Sequence, residues 1–217
     1  MLCDLNAIDQ NGGIWRNRVD NSEIDIPDSA TFERNYVHLS GEALSVSIPT
    51  NPNALPTVTY VIRFRLPEAP TNKGWIMSQA PDYYRSRAIT VADERFGNVG
   101  QSSSPSFDSN LGQVPIGEWN LIIATWTQDG DCQCWLNGNA GTVSTCTSGS
   151  GSSTSEKLII GGRNVVDSVH NPTSIDISNV IVYDHTLSQE EIDEIVLSYS
   201  PDESKFILLN CLIWTIH

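Results

Sequence analysis

Apolar and polar residues alternate along this chain with period two far more often than they recur at helical spacing. From Thr57 to Leu66, Val58, Tyr60, Ile62, Phe64 and Leu66 point one way, and Thr57, Thr59, Val61, Arg63 and Arg65 the other. That pattern predicts a half-buried strand with a basic outer face. Leu2–Ile8, Leu44–Ile48, Gly74–Gln79, Arg87–Ala92, Lys157–Arg163 and Ile175–Tyr183 read as further strands. Pro49, the Pro/Asn stretch 51–56, the loop 98–112 and the Ser/Gly run 145–155 separate them. Only Leu187–Tyr199 breaks the rule. Ser188 and Glu191 form a capping box, Leu187 and Ile192 sit where a hydrophobic staple forms, and Ile192, Ile195, Val196 and Tyr199 recur at helical spacing. Glu190, Glu191, Asp193 and Glu194 suit the start of such a helix electrostatically. The pattern predicts an all-β protein with one short C-terminal helix resting on a sheet.

The chain centres on residues 117–139. Trp119–Thr127 is an apolar, β-branched run, Asp129-Gly130 is a hairpin dipeptide, and Asp131–Leu136 is the return strand before a second turn at Asn137-Gly138. A two-residue loop at Asp129-Gly130 places Trp126 opposite Gln133 and Ala124 opposite Trp135. One face then carries Leu121, Ile123, Thr125, Cys132, Cys134 and Leu136. The other carries Ile122, Ala124, Trp126, Gln133 and Trp135. A strand apolar on both sides is covered on both sides. Two readings of the aromatic face stand: a stacking platform of Trp126 and Trp135 with Gln133 as hydrogen-bonding partner, or ordinary core beneath a loop.

These residues carry a resemblance. Gly117, Trp119, Ala124, Thr125, Trp126, Asp129, Gly130, Leu136, Asn137 and Gly138 resemble the "G-x-W … A-x-T-Y-D-G … L-Y-V-N-G" hairpin of the laminin-G-like and concanavalin A-like jelly-roll superfamily. Leu5, Asn6, Ala7, Gly12, Gly13, Trp15 and Asn17 are similar to the opening of many members, Lys157–Arg163 to their "L-x-I-G-G" strand, and Ile177–Ile192 to their closing strand and helix. The resemblance covers about 4–199. It implies a two-sheet antiparallel jelly-roll sandwich with a short C-terminal helix, spanning residues 1–200. Residues 201–217 form an apolar tail, read as a final strand pairing with the N-terminal strand or as a docking segment. Through Phe206–Ile216 that tail offers a route to an oligomer or larger assembly.

The net charge is −14 over 217 residues. Such an acidic surface repels phosphate backbones, which argues against nucleic-acid partners. The apolar tail is too short to span a bilayer. Residues 1–10 lack a basic n-region and a long apolar stretch, so the expectation is either maturation in the cytoplasm or a leader and neighbouring domains outside this sequence. There are five cysteines. A five-residue loop at 137–141 would set Cys132 opposite Cys146, giving a cross-strand disulfide in an oxidising compartment and buried thiols in a reducing one.

Chemistry is sparse. The four histidines are scattered without ligand spacing. Glu23-Ile24-Asp25-Ile26-Pro27-Asp28 resembles the E-I-D-I-x-E strand of laminarinase-type glycoside hydrolases. Its last acid is the shorter Asp28, and Pro27 suits a strand end. An exposed acidic edge is therefore the expectation, and no catalytic residue is assigned. Tyr83, Tyr84 and Arg85 lie in a loop and would suit a glycan by stacking and hydrogen bonding. Calcium is the one candidate cofactor, since many members of the superfamily bind it through loop oxygens; Asp82, Asp93, Asn98 and Asp108 lie in suitable loops, but no spacing selects them. The expected function is a non-catalytic carbohydrate- or surface-binding, lectin-like module, on an extracellular surface or virus particle. The alternative is a structural or adhesive component such as a virion decoration, fibre or cell-surface protein. A laminarinase-type hydrolase comes third.

Overall fold

The structure, a computed structural model, describes residues 1–9, 14–24, 26–48, 55, 57–71, 74–79, 87–92, 95–99, 106–107, 111–127, 131–145, 157–165, 168–170 and 172–199. The strands are β1 (Cys3–Asn6), β2 (Trp15–Arg16), β3 (Glu23–Ile24), β4 (Thr31–Phe32), β5 (Val37–Leu39), β6 (Leu44–Ser47), β7 (Thr57–Arg65), β8 (Gly74–Gln79), β9 (Ala88–Ala92), β10 (Arg95–Val99), β11 (Ser106–Phe107), β12 (Trp119–Thr127), β13 (Asp131–Leu136), β14 (Asn139–Ala140), β15 (Ser144–Thr145), β16 (Lys157–Ile160), β17 (Arg163–Val165), β18 (Ser168–His170) and β19 (Ile175–Tyr183). A 3-10 turn at Ala7–Asp9 follows β1, and one helix, α1 (Gln189–Tyr199), follows β19.

Two sheets make the sandwich. The larger runs β14-β13-β12-β7-β19-β5-β4, with β1 also paired to β19 and β15 to β13; the smaller runs β11-β10-β9-β8-β16-β6. Every pairing is antiparallel. A large apolar cluster fills the space between them. Tyr60, Ile62, Phe64, Val180 and Val182 enter it from the larger sheet, and Met77, Ile89, Val91, Leu158 and Leu44 from the smaller. This is the all-β jelly-roll architecture with one short helix. The alternation read along β7 holds: Val58, Tyr60, Ile62, Phe64 and Leu66 are all in this core.

The register of the β12–β13 hairpin differs from the expected one. Trp126 faces Cys132, Ala124 faces Cys134 and Ile123 faces Trp135. Thr127 and Asp131 close the ladder, with the Thr127 Oγ1 accepting from the Asp131 amide at 3.2 Å. Three residues, 128–130, therefore separate the strands rather than two. A Gly-ended three-residue loop suits Asp129-Gly130 as well as a two-residue one. That single step exchanges the faces of β13 relative to β12. Ile122, Ala124, Trp126, Cys132, Cys134 and Leu136 share the core, and Trp135 and Gln133 lie on the other side of the sheet.

The next turn, by contrast, is tighter than expected. Leu136 faces Asn139, so Asn137 and Gly138 alone form the loop, both at positive φ (50° and 86°). Cys132 then stands opposite Ser144, not Cys146. Cys132 is nevertheless disulfide-bonded.

By compactness the chain divides into Met1–Thr186 and Leu187–His217. In the second unit the predicted capping box is present. The Glu191 Oε2 accepts from the Ser188 amide at 2.8 Å, and the Glu191 amide donates to the Ser188 hydroxyl at 3.3 Å. The tail 201–217 lies outside the described residues. No helix among the described residues is long and apolar enough to cross a membrane.

Candidate functional site

The proposed platform of Trp126 and Trp135 is not one surface. Trp126 is 3% exposed in the inter-sheet core, edge-on to Tyr60 with ring centroids 5.5 Å apart. Trp135 lies on the opposite face and is itself buried. Gln133 is half-buried on that same outer face, its Nε2 donating to the Gly141 carbonyl at 3.2 Å. Neither indole N–H has a hydrogen-bond partner among the described residues. Tyr83, Tyr84, Arg85, Asp82, Asp93 and Asp108 lie outside the described residues, as does the side chain of Asn98. Among the described residues no three His, Cys, Asp or Glu side chains gather to hold a metal ion.

What the fold does gather is a row of side chains across four strands on the outer face of the larger sheet. The ladder sets His38 of β5 opposite Asp176 of β19, Asp176 opposite Arg65 of β7, and Arg65 opposite Trp119 of β12. These residues point away from the core because β7 alternates and β19 follows its register. A bulge between Ile177 and Asn179 then keeps Val180 and Val182 facing inward further along β19.

Each member touches the next. The His38 Nδ1 lies 2.6 Å from the Asp176 Oδ1. The Arg65 Nε donates to the Asp176 Oδ2 at 2.7 Å. The Arg65 guanidinium then lies 5.2 Å from the Trp119 ring centroid and 5.0 Å from that of Tyr36. Arg63, two residues back on the same face, is also 5.2 Å from the Trp119 centroid. Tyr36 meets Trp119 edge-on at 5.7 Å. The result is an aromatic pair interleaved with two guanidinium groups, a cation–π arrangement in which each planar group fixes the next.

Burial is graded along the row. The Asp176 side chain is 2% exposed, whereas His38 and Arg65 are each 29% exposed. A buried carboxylate needs such partners, because an unpaired charge removed from water is costly. Its hydrogen bond raises the Arg65 pKa further. Asp176 thus anchors Arg65, Arg65 orients Trp119 and Tyr36, and the aromatic end remains half-buried at the surface. Chemically this can stack on a planar or weakly apolar ligand face and donate several N–H bonds from fixed positions.

Sequence reasoning placed Arg63 and Arg65 outward but missed their partners. Asp176 is 111 residues from Arg65 and 138 from His38. The one local signal was Trp119 itself, in the family's G-x-W.

The laminarinase-like stretch is organised differently. Glu23 pairs with Arg16 across the two-stranded ribbon β2–β3, its side chain 58% exposed. Asp28 is exposed beyond the strand, and Asp25 lies outside the described residues.

Residues 29–193 match the laminin-G-type family described as the concanavalin A-like lectin/glucanases superfamily. The chain belongs to that superfamily. The sandwich is also similar to solved structures. One is a Trypanosoma rangeli sialidase in complex with sialic acid, at 16% identity and TM-score 0.71, over 90% of this chain and 32% of that one. Another is the binding domain of botulinum neurotoxin serotype D, at 11% identity and TM-score 0.67, over 91% of this chain and 51% of that one. A third is the receptor binding domain of a mosaic serotype C/D botulinum neurotoxin, at 12% identity and TM-score 0.69, over 91% of this chain and 50% of that one. This concanavalin A-like chain thus spans between a third and a half of those longer chains. At such identities the likeness concerns the fold. No curated protein matches the sequence.

Proposed function

We propose that this concanavalin A-like domain is a non-catalytic carbohydrate-binding module whose contact surface is the Tyr36–Trp119–Arg63–Arg65 end of the outer row. The observation that carries the reading is the half-exposed aromatic pair flanked by two guanidinium groups, of which Asp176 anchors that of Arg65. Sugar rings present weakly polarised C–H faces and many hydroxyls, which suit a preorganised aromatic face edged by fixed N–H donors. The superfamily and the receptor-binding context of the neurotoxin neighbours support a binding role. Tyr83, Tyr84 and Arg85 remain candidates for a second contact, and calcium for a loop-held cofactor. The Cys132 disulfide supports work outside a reducing cytoplasm.

The test is a glycan array probed with calcium and again with chelator, using the native chain and Trp119→Ala. Binding by the native chain and its loss in a folded Trp119→Ala variant are expected. Binding unchanged in that variant moves the site elsewhere, and a chelator-sensitive signal assigns the calcium. A blank array overturns the reading in favour of the structural or adhesive role. Hydrolysis of array glycans that disappears in Glu23→Gln overturns the non-catalytic part.

A further inference from the structure

The N-terminal strand pairs with β19 on one side only among the described residues. An edge strand exposes a row of backbone donors and acceptors to any other strand. Here that row is occupied. The Asp4 amide donates to the Asn17 Oδ1 at 2.9 Å, and the Asp4 carbonyl accepts from the Arg18 amide at 2.9 Å. The Leu2 carbonyl accepts from the Asn17 Nδ2 at 3.5 Å. The Asn6 carbonyl accepts from the Trp15 Nε1 at 2.9 Å. Two side chains and one amide therefore imitate the lateral groups of a neighbouring strand.

The segment that does this is held in place independently. Asn17 and Trp15 are fully buried. The Asn17 amide donates to the Ser22 carbonyl at 2.9 Å, and the Asn21 amide to the Asn17 carbonyl at 2.7 Å. Asn21 takes a φ of 60°, which Asn tolerates better than most residues. Ser22 donates its amide and hydroxyl to the Asp20 Oδ1 at 3.0 and 2.7 Å. β2 and β3 then pair above the turn, so the imitation is preorganised rather than induced.

We propose that Trp15–Arg18 is an edge guard, which keeps the larger sheet from taking up a strand of a second copy of this chain. This explains why Trp and Asn stand two apart after the opening strand: Trp15 and Asn17 each reach a backbone group of β1 that no other part of the ladder satisfies. The guard lies apart from the His38–Trp119 row and does not depend on what that row binds.

The test is sedimentation velocity of the native chain, Asn17→Ala, Trp15→Phe and Glu23→Gln over a concentration series, with circular dichroism to confirm folding. Asn17→Ala is expected to shift self-association to concentrations roughly tenfold lower or more, as lateral bonds pass from the guard to a partner strand. Trp15→Phe removes the bond to Asn6 together with part of a buried ring, leaves the Asn17 bonds in place, and is expected to shift it less, in the same direction. It also decides the question if Asn17→Ala does not fold. Glu23→Gln loosens the exposed β2–β3 ribbon without touching the β1 edge and is expected to sediment like the native chain. Folded Asn17→Ala or Trp15→Phe sedimenting like the native chain overturns the proposal. So does equal association of Glu23→Gln, which would trace the effect to general loosening.

Discussion

The two faces of the larger sheet are built from the same strands and solve opposite problems. On the inner face Trp126, Tyr60, Ala124 and Cys134 lie in the apolar core between the sheets. On the outer face, at the level of Trp119, a buried carboxylate, two guanidinium groups, an imidazole and two aromatic rings form one connected row. Removing an aromatic from the first leaves a cavity. Removing one from the second leaves solvent. The difference shows that an aromatic residue in a strand acquires its role from register rather than from its type.

The sharpest way to break this comparison is Trp126→Ala. Loss of a fully packed core indole should cost about 3–5 kcal/mol of unfolding free energy, read from urea denaturation. A cost near zero would remove Trp126 from the core. Next comes Asp176→Ala, which strands Arg65 and His38. The expected loss is about 3 kcal/mol, toward the lower end for a broken buried pair because both partners are partly exposed. Asp176→Asn should cost less, since the amide oxygen can still accept from Arg65. If Asp176→Ala leaves stability unchanged, the row is not an anchor.

A third contrast is in alkaline behaviour. Burial, with added repulsion from Asp4 and Asp20, pushes the Cys3 thiol from 9.0 to about 12. The unfolded chain releases this proton from pH 9.0, while the folded one keeps it. The contribution of Cys3 is thus intact below pH 9.0 and is lost progressively up to about pH 12, by roughly 1.4 kcal/mol per unit. Burial raises the Tyr60 phenol as well, in the same direction. Urea midpoints at stepped pH should therefore fall above 9, and Cys3→Ala should flatten that fall. An unchanged slope in the variant would assign the alkaline limb elsewhere. The smallest stability effect is expected for Trp119→Ala, about 1 kcal/mol from the lost guanidinium stacking. Its principal effect is on binding. A loss as large as that of Trp126→Ala would make Trp119 structural rather than a contact surface.

Much of this was legible along the chain. The alternation of β7 assigned its core face without error, and Ser188 with Glu191 announced the start of α1. Both depend on neighbours a few residues apart. The hairpin faces were not legible, because Asp129-Gly130 suits loops of two and of three residues equally well. That one-residue uncertainty decides whether Trp135 stands beside Trp126 or behind it. The partner of Cys132 was missed for a similar reason: Asn137-Gly138 makes a two-residue turn and the register slips by one more residue before β15, so Ser144 faces Cys132 instead of Cys146.

The sequence by itself determined the superfamily, the all-β sandwich and the closing helix, since periodicity, turn dipeptides and caps are short-range and recur in one order. Only the tertiary structure decided which side chains meet on the outer face and what closes the edge of β1. His38, Arg65, Trp119 and Asp176 come from four strands far apart in the chain, and Asn17 acts on backbone groups that carry no trace in residue type. Contacts of that kind depend on strand order and register, which long-range pairing sets and local composition does not encode.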